Sequence, residues 1–147
     1  MADYPQLKLE NQLCFPLYAA AKEIVRRYKP FLDPLDLTYT QYIAMMVMWD
    51  KHSCTVTELG EALRLDSGTL TPLLKKLESK GYITRRRGER DERKVVLTLT
   101  PDGEKLKDRA AAVPTQMGAC VDLSPEDAKT LYSLLYKLLG GLDGEKT

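Results

Sequence analysis

The sequence predicts a mainly helical protein with one small β-hairpin, arranged as a winged helix-turn-helix. Three observations predict it. Apolar residues recur at helical spacing along most of the 147 residues, the period changes to that of strands only between residues 82 and 100, and Lys and Arg concentrate in the same region. A basic hairpin directly after two short helices is typical of DNA-binding folds.

The composition is that of an ordinary globular protein, with 44% hydrophobic and 29% charged residues. The longest apolar run, residues 42–49, is far shorter than the roughly 18 residues that span a bilayer. The first residues show no signal-peptide pattern, so we expect a cytoplasmic protein without a membrane partner. Three cysteines and the single His52 are too few for a disulfide framework or a metal centre, and no cofactor is expected.

The first two predicted helices precede the charged region. Apolar residues share one face over residues 7–28, and Pro30 and Pro34 bracket the exit of that helix. Thr38 opens a second helix, which closes before Ser53. Because this second helix is apolar nearly all round, we expect it to form the buried centre of the domain.

Two shorter helices follow and form the predicted helix-turn-helix. Residues 55–58 read Thr-Val-Thr-Glu, a capping box that starts a helix ending near residue 63. Asp66, Ser67 and Gly68 make the turn and supply the next cap. The following helix, which we expect to be the recognition helix, runs to Lys80.

A β-hairpin is predicted from two short runs, residues 82–85 and 94–100, the second of which alternates in part between apolar and polar side chains. The segment between them, residues 86–93, is too polar to be anything other than an exposed tip. This hairpin is the predicted wing.

Two further helices complete the chain. Thr100 and Pro101 start a helix that is predicted to continue to about Cys120, and a last helix begins after Ser124 and ends at residues 140–141, both glycine. The last helix is apolar over a wide face. A small winged domain has too little core to cover that face, so we expect a second copy of the chain to do so.

Positive charge is unevenly distributed. Residues 75–94 carry nine Lys or Arg against four acids, a net charge of +5, whereas the whole chain is only +1. Such a concentration on a recognition helix and hairpin is the electrostatic footprint of phosphate binding. A solvated hairpin tip without function is the alternative explanation.

Individual roles in binding double-stranded DNA follow from side-chain chemistry. Hydroxyls in the first turns of the recognition helix can meet base edges or phosphates in the major groove. They can instead cap their own helix, and we expect at least one of them to do so. Asp91 can hold Arg93 extended into a minor groove, or form a surface ion pair of little value. The candidate DNA-binding residues are Ser67, Thr69, Thr71, Lys75, Lys76, Arg86, Arg87, Arg90, Asp91, Arg93 and Lys94.

Several segments resemble a known family. Residues 65–78, 81–85 and the Asp-Glu-Arg of residues 91–93 resemble the MarR family of winged-helix regulators. Residues 9–18, which include Leu-Glu-Asn-Gln-Leu-Cys-Phe, and residues 38–42 resemble its organic hydroperoxide resistance (OhrR) branch. The resemblance covers nearly the whole chain.

The resemblance implies a single MarR-type domain over residues 1–147 that forms a homodimer. Within it, residues 55–100 would be the winged helix-turn-helix, and residues 7–30 and 101–142 would supply interlocking dimerisation helices. Two recognition helices related by a dyad would read an inverted-repeat operator with half-sites about 34 Å apart.

Cys14 is the candidate redox sensor. Pro16 places it near a helix N-terminus, where exposed amides favour a thiolate, although the family resemblance starts that helix earlier. The resemblance implies that Tyr28 and Tyr39 hydrogen-bond its sulfur across the dimer interface, and Tyr18 falls on the same face as Cys14. An inert cysteine in an apolar helix is the structural alternative.

The other two cysteines receive different roles. Cys120 lies where some members of the family carry a resolving cysteine, so we expect a disulfide between Cys14 of one subunit and Cys120 of the other. A buried cysteine at a helix end is the alternative. Cys54, in a predicted loop between helices, is expected to be structural.

The leading functional hypothesis is a dimeric transcriptional repressor, not an enzyme, that releases DNA when an organic hydroperoxide oxidises Cys14. The apolar neighbours Phe15, Leu17 and Met46 suit an alkyl or fatty-acid hydroperoxide. One alternative is a repressor gated by a small phenolic or drug-like ligand. A thiol peroxidase is the other, disfavoured because no basic residue at helical spacing is well placed beside Cys14.

Overall fold

The computed structural model describes residues 2–91 and 93–143. Its contacts divide the chain into two compact units, residues 1–117 and residues 118–147. None of the helices in the described part is long and apolar enough to cross a membrane. The elements, in chain order, are α1 (Cys14–Leu32), α2 (Tyr39–Lys51), β1 (Ser53–Thr55), α3 (Val56–Leu63), α4 (Ser67–Ser79), β2 (Ile83–Arg87), β3 (Val95–Leu99), α5 (Pro101–Ala110), α6 (Val113–Gly118) and α7 (Pro125–Asp143).

The first helix starts later and ends later than its apolar pattern predicts. Residues 5–11 form two 3₁₀ turns instead of the start of an α-helix. The side-chain amides of Asn11 and Gln12 donate to backbone carbonyls of those turns, at 2.7 Å to Pro5 and 2.8 Å to Lys8, which competes with regular helix bonding. At the other end, α1 continues through Pro30.

Helix α2 lies at the centre of the core, as predicted. Its side chains at Tyr42, Met45 and Met48 are nearly inaccessible to solvent. Thr38 caps the helix with a full capping box, in which the Thr38 hydroxyl accepts from the Gln41 N–H and the Gln41 amide oxygen accepts from the Thr38 N–H. This box fixes the first turn of α2.

The helix-turn-helix is formed by α3 and α4, and both predicted caps are present. Thr55 and Glu58 form the capping box of α3, and the Asp66 carboxylate accepts the Thr69 N–H at 2.8 Å at the start of α4. Gly60 permits the close approach of the two helices, since a β-carbon there would lie 2.8 Å from a methyl group of Leu70.

The sheet has three antiparallel strands in the order β1-β3-β2, one strand more than the predicted hairpin. In the register of the wing, Ile83 pairs with Leu99 and Arg87 with Val95. Residues 53–55, predicted as a loop, pair with the other edge of β3, with Cys54 opposite Leu97. Three residues are too short to show a strand period, so only the pairing defines β1.

The predicted long fifth helix is interrupted. Helix α5 ends at Ala110, and α6 spans only Val113–Gly118. Pro114 lacks the N–H that an uninterrupted helix would need there, and its ring would collide with the preceding turn. Cys120 consequently lies in a turn after α6, and its predicted position at the end of a fifth helix is wrong.

The second unit contains α7. Ser124 caps the N-terminus of this helix by accepting the Asp127 N–H at 3.1 Å. The helix passes through Gly140 and Gly141 to Asp143, so the predicted stop at these glycines is wrong. Glycine lowers helix propensity by only about 1 kcal/mol per residue, which flanking leucines can offset.

Candidate functional site

The N-terminal half of α4 presents its hydroxyl side chains to solvent. Ser67, Thr69 and Thr71 are all exposed. The cap of this helix is Asp66 and none of these three, so the alternative of capping does not account for them. The Thr71 hydroxyl does donate back to the Ser67 carbonyl at 2.9 Å, within the helix.

Two of the nine basic side chains between residues 75 and 94 are held by internal partners. Lys80 donates to the amide oxygen of Gln41 at 3.0 Å, and Arg85 lies 3.3 Å from the Glu78 carboxylate. The other seven are exposed and belong to α4, β2 and the hairpin tip. We call this set the basic surface: Lys75, Lys76, Arg86, Arg87, Arg90, Arg93 and Lys94.

The hairpin tip is fixed through its backbone. The Gly88 N–H donates to the Lys94 carbonyl at 2.7 Å, and the Lys94 N–H donates to the Asp91 carbonyl at 3.0 Å. The Asp91 carboxylate accepts the backbone N–H of Arg93 at 3.0 Å. Asp91 therefore shapes the turn that carries Arg93, which differs from the side-chain pairing considered from the sequence.

Cys14 is the first residue of α1, as the position of Pro16 predicts, and it is exposed. The helix has no side-chain cap at this end, so its first N–H groups and the positive end of its dipole lie beside the thiol. Tyr18, one turn further on, is 64% exposed. The N-terminus of α1 thus presents a reachable sulfur beside backbone N–H groups that no side chain caps.

Apolar side chains surround Cys14 in the sequence and are exposed to solvent. Leu13 is 83% exposed, Phe15 40% and Leu17 38%. Met46 of α2, which the sequence groups with them, is 42% exposed. Another molecule that covered these side chains would remove apolar surface from water.

Tyr28 and Tyr39 lie together at the opposite end of α1. Their ring centroids are 4.8 Å apart, and Tyr42 packs 5.8 Å from Tyr28. Burial raises the pKa of both Tyr28 and Tyr39, so both phenols stay neutral and can donate hydrogen bonds. Fourteen residues of helix separate Tyr28 from Cys14, about 21 Å, so Tyr28 does not reach the Cys14 of its own subunit.

The remaining cysteines differ in environment. Cys54 is only 5% exposed, and its Sγ lies 3.7 Å from the Met48 sulfur. Burial, followed by the nearby Glu58 carboxylate, raises the pKa of the Cys54 thiol, which makes it a poor nucleophile. Cys120 is exposed. In the described residues, no group of three or more His, Cys, Asp or Glu is arranged to hold a metal ion.

Two contacts beside the basic surface are not predicted by any pattern in the sequence. Glu78 and Arg85 lie seven residues apart on a helix and a strand, and Lys80 lies 44 residues from Asp36, whose carbonyl accepts a hydrogen bond from its ammonium. No local periodicity signals such pairs. Only the unusual half-burial of the Lys80 and Arg85 side chains, 23% and 29% exposed, distinguishes them.

Comparison with known proteins identifies the family. Residues 26–110 match the family model described as transcriptional regulator SarA/Rot. The chain is 50% identical over 136 residues to the organic hydroperoxide resistance transcriptional regulator of Bacillus subtilis (strain 168), with 92% of each chain covered.

Solved structures agree with this assignment. The overoxidized AbfR bound to DNA is 33% identical, with a TM-score of 0.76 over 93% of this chain and 96% of that chain; AbfR comes from Staphylococcus epidermidis. A disulfide-formed AbfR is 32% identical, with a TM-score of 0.63 over 95% of each chain. This chain belongs to the SarA/Rot family of winged-helix transcriptional regulators, in the MarR-type group of the organic hydroperoxide resistance regulators.

Proposed function

We propose that this protein is a homodimeric, DNA-binding repressor that detects organic hydroperoxides by oxidation of Cys14 and then releases an inverted-repeat operator. The observation that carries the proposal is the position of Cys14, exposed at the uncapped N-terminus of α1 and flanked by exposed apolar side chains. A structural cysteine would be buried there.

DNA binding is assigned to α4 and the wing. Their seven exposed cations supply phosphate contacts, and the exposed hydroxyls of Ser67, Thr69 and Thr71 lie at the end of α4 that enters a major groove in this class of fold. Asp91 orients the backbone at Arg93 toward a flanking minor groove. AbfR, solved bound to DNA, supports this assignment by its similarity.

Homodimer formation is supported by the apolar side chains that the single chain leaves in solvent. On α1, Leu17, Ile24 and Val25 are 38–43% exposed. On α7, which belongs to the second unit, no residue is buried. Both helices expose apolar side chains, which a second copy would cover.

The sensing step is a two-electron oxidation. The Cys14 thiolate sulfur attacks the terminal oxygen of the hydroperoxide, the O–O bond breaks, and the leaving alkoxide takes up the proton that the thiol had released and departs as the alcohol. Cysteine becomes sulfenic acid, and the hydroperoxide is reduced to the alcohol. Tyr28 and Tyr39 of the partner subunit donate hydrogen bonds that stabilise the thiolate, and Tyr18 lines the approach to it.

A second step locks the oxidised state. The sulfenic acid condenses with the Cys120 thiol of the other subunit, forming a disulfide and releasing water. The disulfide-formed AbfR supports this step by its similarity, and AbfR was also solved in its reduced form bound to DNA. The reduced protein would then be the DNA-binding form.

The protein acts as a regulator and not as an enzyme, since its relatives are transcriptional regulators. It would work in the cytoplasm, where the DNA of a bacterium lies. Because a regulator reacts once, each subunit would consume one equivalent of hydroperoxide. A thiol peroxidase would instead turn over continuously with a thiol reductant.

A gel shift tests the proposal directly. The reduced protein is expected to bind DNA from its own upstream promoter, and one equivalent of cumene hydroperoxide is expected to abolish that binding. Cys14→Ser should bind the same DNA and ignore the oxidant, while Cys54→Ser serves as the matched control and should respond like the wild type. Release of the Cys14→Ser variant by hydroperoxide would overturn the proposal.

A further inference from the structure

The Lys80 ammonium, at the C-terminal end of α4, is bound to the segment that precedes and starts α2. It donates to the Asp36 carbonyl and, at 3.0 Å, to the Gln41 amide oxygen, and it lies 3.6 Å from the Asp36 carboxylate. The ammonium thus makes two hydrogen bonds and one ion pair to this segment. The Lys80 side chain is only 23% exposed, so water competes weakly for it.

The acceptor on α2 is itself part of a fixed structure. Gln41 is 4% exposed, and the same amide oxygen that binds Lys80 also accepts the Thr38 N–H at 3.1 Å in the capping box. Asp36 adopts the left-handed conformation, with φ of 53°, where the chain turns into α2. A movement of this first turn therefore changes the positions of all the Lys80 acceptors.

Tyr39 is the first residue of α2 and therefore begins that turn. Its ring packs against Tyr28 at 4.8 Å, and these are the two phenols assigned to the Cys14 sulfur. The Lys80 acceptors at Asp36 and Gln41 thus bracket Tyr39 along the chain. Lys80 is therefore bonded to the residues three positions before and two positions after Tyr39.

We propose that Lys80 is a positioning residue that couples the sensor to DNA binding, by tying the end of α4 to the turn that holds Tyr39. This inference rests on the proposed function. When oxidation of Cys14 displaces Tyr39, the bound segment moves, and α4 moves with it.

Directional bonding is the reason to assign this role to Lys80 instead of to the apolar contacts of the core. Apolar packing between helices tolerates small sliding, because its energy depends little on direction. Hydrogen bonds weaken steeply outside a narrow range of distance and angle. A shift of about 1 Å in the turn at Tyr39 would break the Lys80 bonds unless α4 followed.

The test is the ratio of operator Kd in the oxidised protein to Kd in the reduced protein. Lys80→Met keeps the aliphatic stem and removes the donors. We expect the variant to react with cumene hydroperoxide at the wild-type rate, because Cys14 is untouched, while the ratio falls at least about fivefold. An equal rise of both Kd values, with an unchanged ratio, would show a purely structural role and overturn the inference.

Arg109→Met is the matched control. Arg109 also anchors this corner, since its guanidinium donates to the Pro34 carbonyl at 2.6 Å, but it belongs to α5 and not to the recognition helix. We expect its ratio to equal that of the wild type. A ratio reduced as strongly as in Lys80→Met would mean that any loosening of this corner uncouples the protein, against a specific role of Lys80.

Lys80→Gln is the second variant, measured in place of Lys80→Met if that protein does not fold. Its shorter polar side chain suits a helix end but cannot span the distance to both acceptors, so the ratio should again fall. Failure of the proposed function looks different, because wild-type Kd would then not change on oxidation. Wild-type release together with an unchanged ratio in the Lys80 variants would overturn only the coupling.

Discussion

The Glu78 carboxylate lies 3.3 Å from the guanidinium of Arg85 and joins the recognition helix α4 to the first strand of the wing. Both side chains are partly buried, at 40% and 29% exposed. The pair therefore fixes the angle between the two elements that are assigned to DNA. A preorganised interface loses less conformational freedom on binding than a mobile one.

Glu78→Gln should consequently weaken operator binding without removing any DNA contact. Because a partly exposed ion pair contributes at most about 1 kcal/mol, we expect up to about a fivefold rise in Kd of the reduced protein. The slope of log Kd against log salt should stay unchanged, since no phosphate contact is lost. A changed slope would mean that Glu78 or Arg85 takes part in phosphate binding.

Arg93→Ala should weaken operator binding by about 1–3 kcal/mol if its side chain reads the minor groove. Fluorescence anisotropy with the operator and with a scrambled duplex of the same length measures the effect. Lys105→Ala removes another exposed positive charge, from α5 outside the basic surface, and should leave Kd nearly unchanged. An Arg93→Ala affinity equal to that of the wild type would exclude the wing from recognition.

Tyr28→Phe and Tyr39→Phe should slow oxidation of Cys14 and leave DNA binding of the reduced protein intact. Each substitution keeps the packed ring and removes one donor that stabilises the reactive thiolate. Stopped-flow reaction with cumene hydroperoxide gives the rates. Tyr82→Phe, on a half-buried tyrosine just before the wing, is the control and should react at the wild-type rate. If both variants are oxidised at the wild-type rate, Tyr28 and Tyr39 contribute only to packing.

Oxidation is expected to join two subunits covalently through Cys14 and Cys120. Non-reducing gel electrophoresis after one equivalent of cumene hydroperoxide should show a dimer band that disappears with dithiothreitol. The band should be missing in Cys14→Ser and in Cys120→Ser, and present in Cys54→Ser. An oxidised monomer that traps added thiol as a mixed disulfide would instead make this a one-cysteine sensor.

Asp66→Ala should destabilise α4 and lower the thermal midpoint, because the helix loses the side chain that accepts the Thr69 N–H. That hydrogen bond also lowers the pKa of the Asp66 carboxyl from its ordinary 3.8. A carboxyl whose pKa is lowered by folding stabilises the folded state at pH values above its ordinary pKa. This contribution is lost as the pH falls through the folded-state pKa. The difference in thermal midpoint between the wild type and Asp66→Ala should therefore become smaller in acid. Asp66→Asn, also a good cap, should melt near the wild type.

The sequence by itself determined where most helices begin. Thr38, Thr55, Asp66 and Thr100 were each predicted as caps, and each accepts a backbone N–H in the structure. A cap involves a side chain and a backbone group three residues apart, so its signal is local. The excess of Lys and Arg over residues 75–94 is equally local, and with the resemblance it sufficed for the fold and the family.

Tertiary structure alone decided which basic side chains remain exposed for DNA binding and which form ion pairs within the domain. Lys80 and Arg85 read in the sequence like the other cations, yet their partners Asp36 and Glu78 hold them against the body of the domain. The strand at residues 53–55 likewise exists only because β3 offers it an edge. These contacts join segments that are distant along the chain or lie on different elements, and such pairings depend on the packed arrangement of the whole unit instead of on any local pattern.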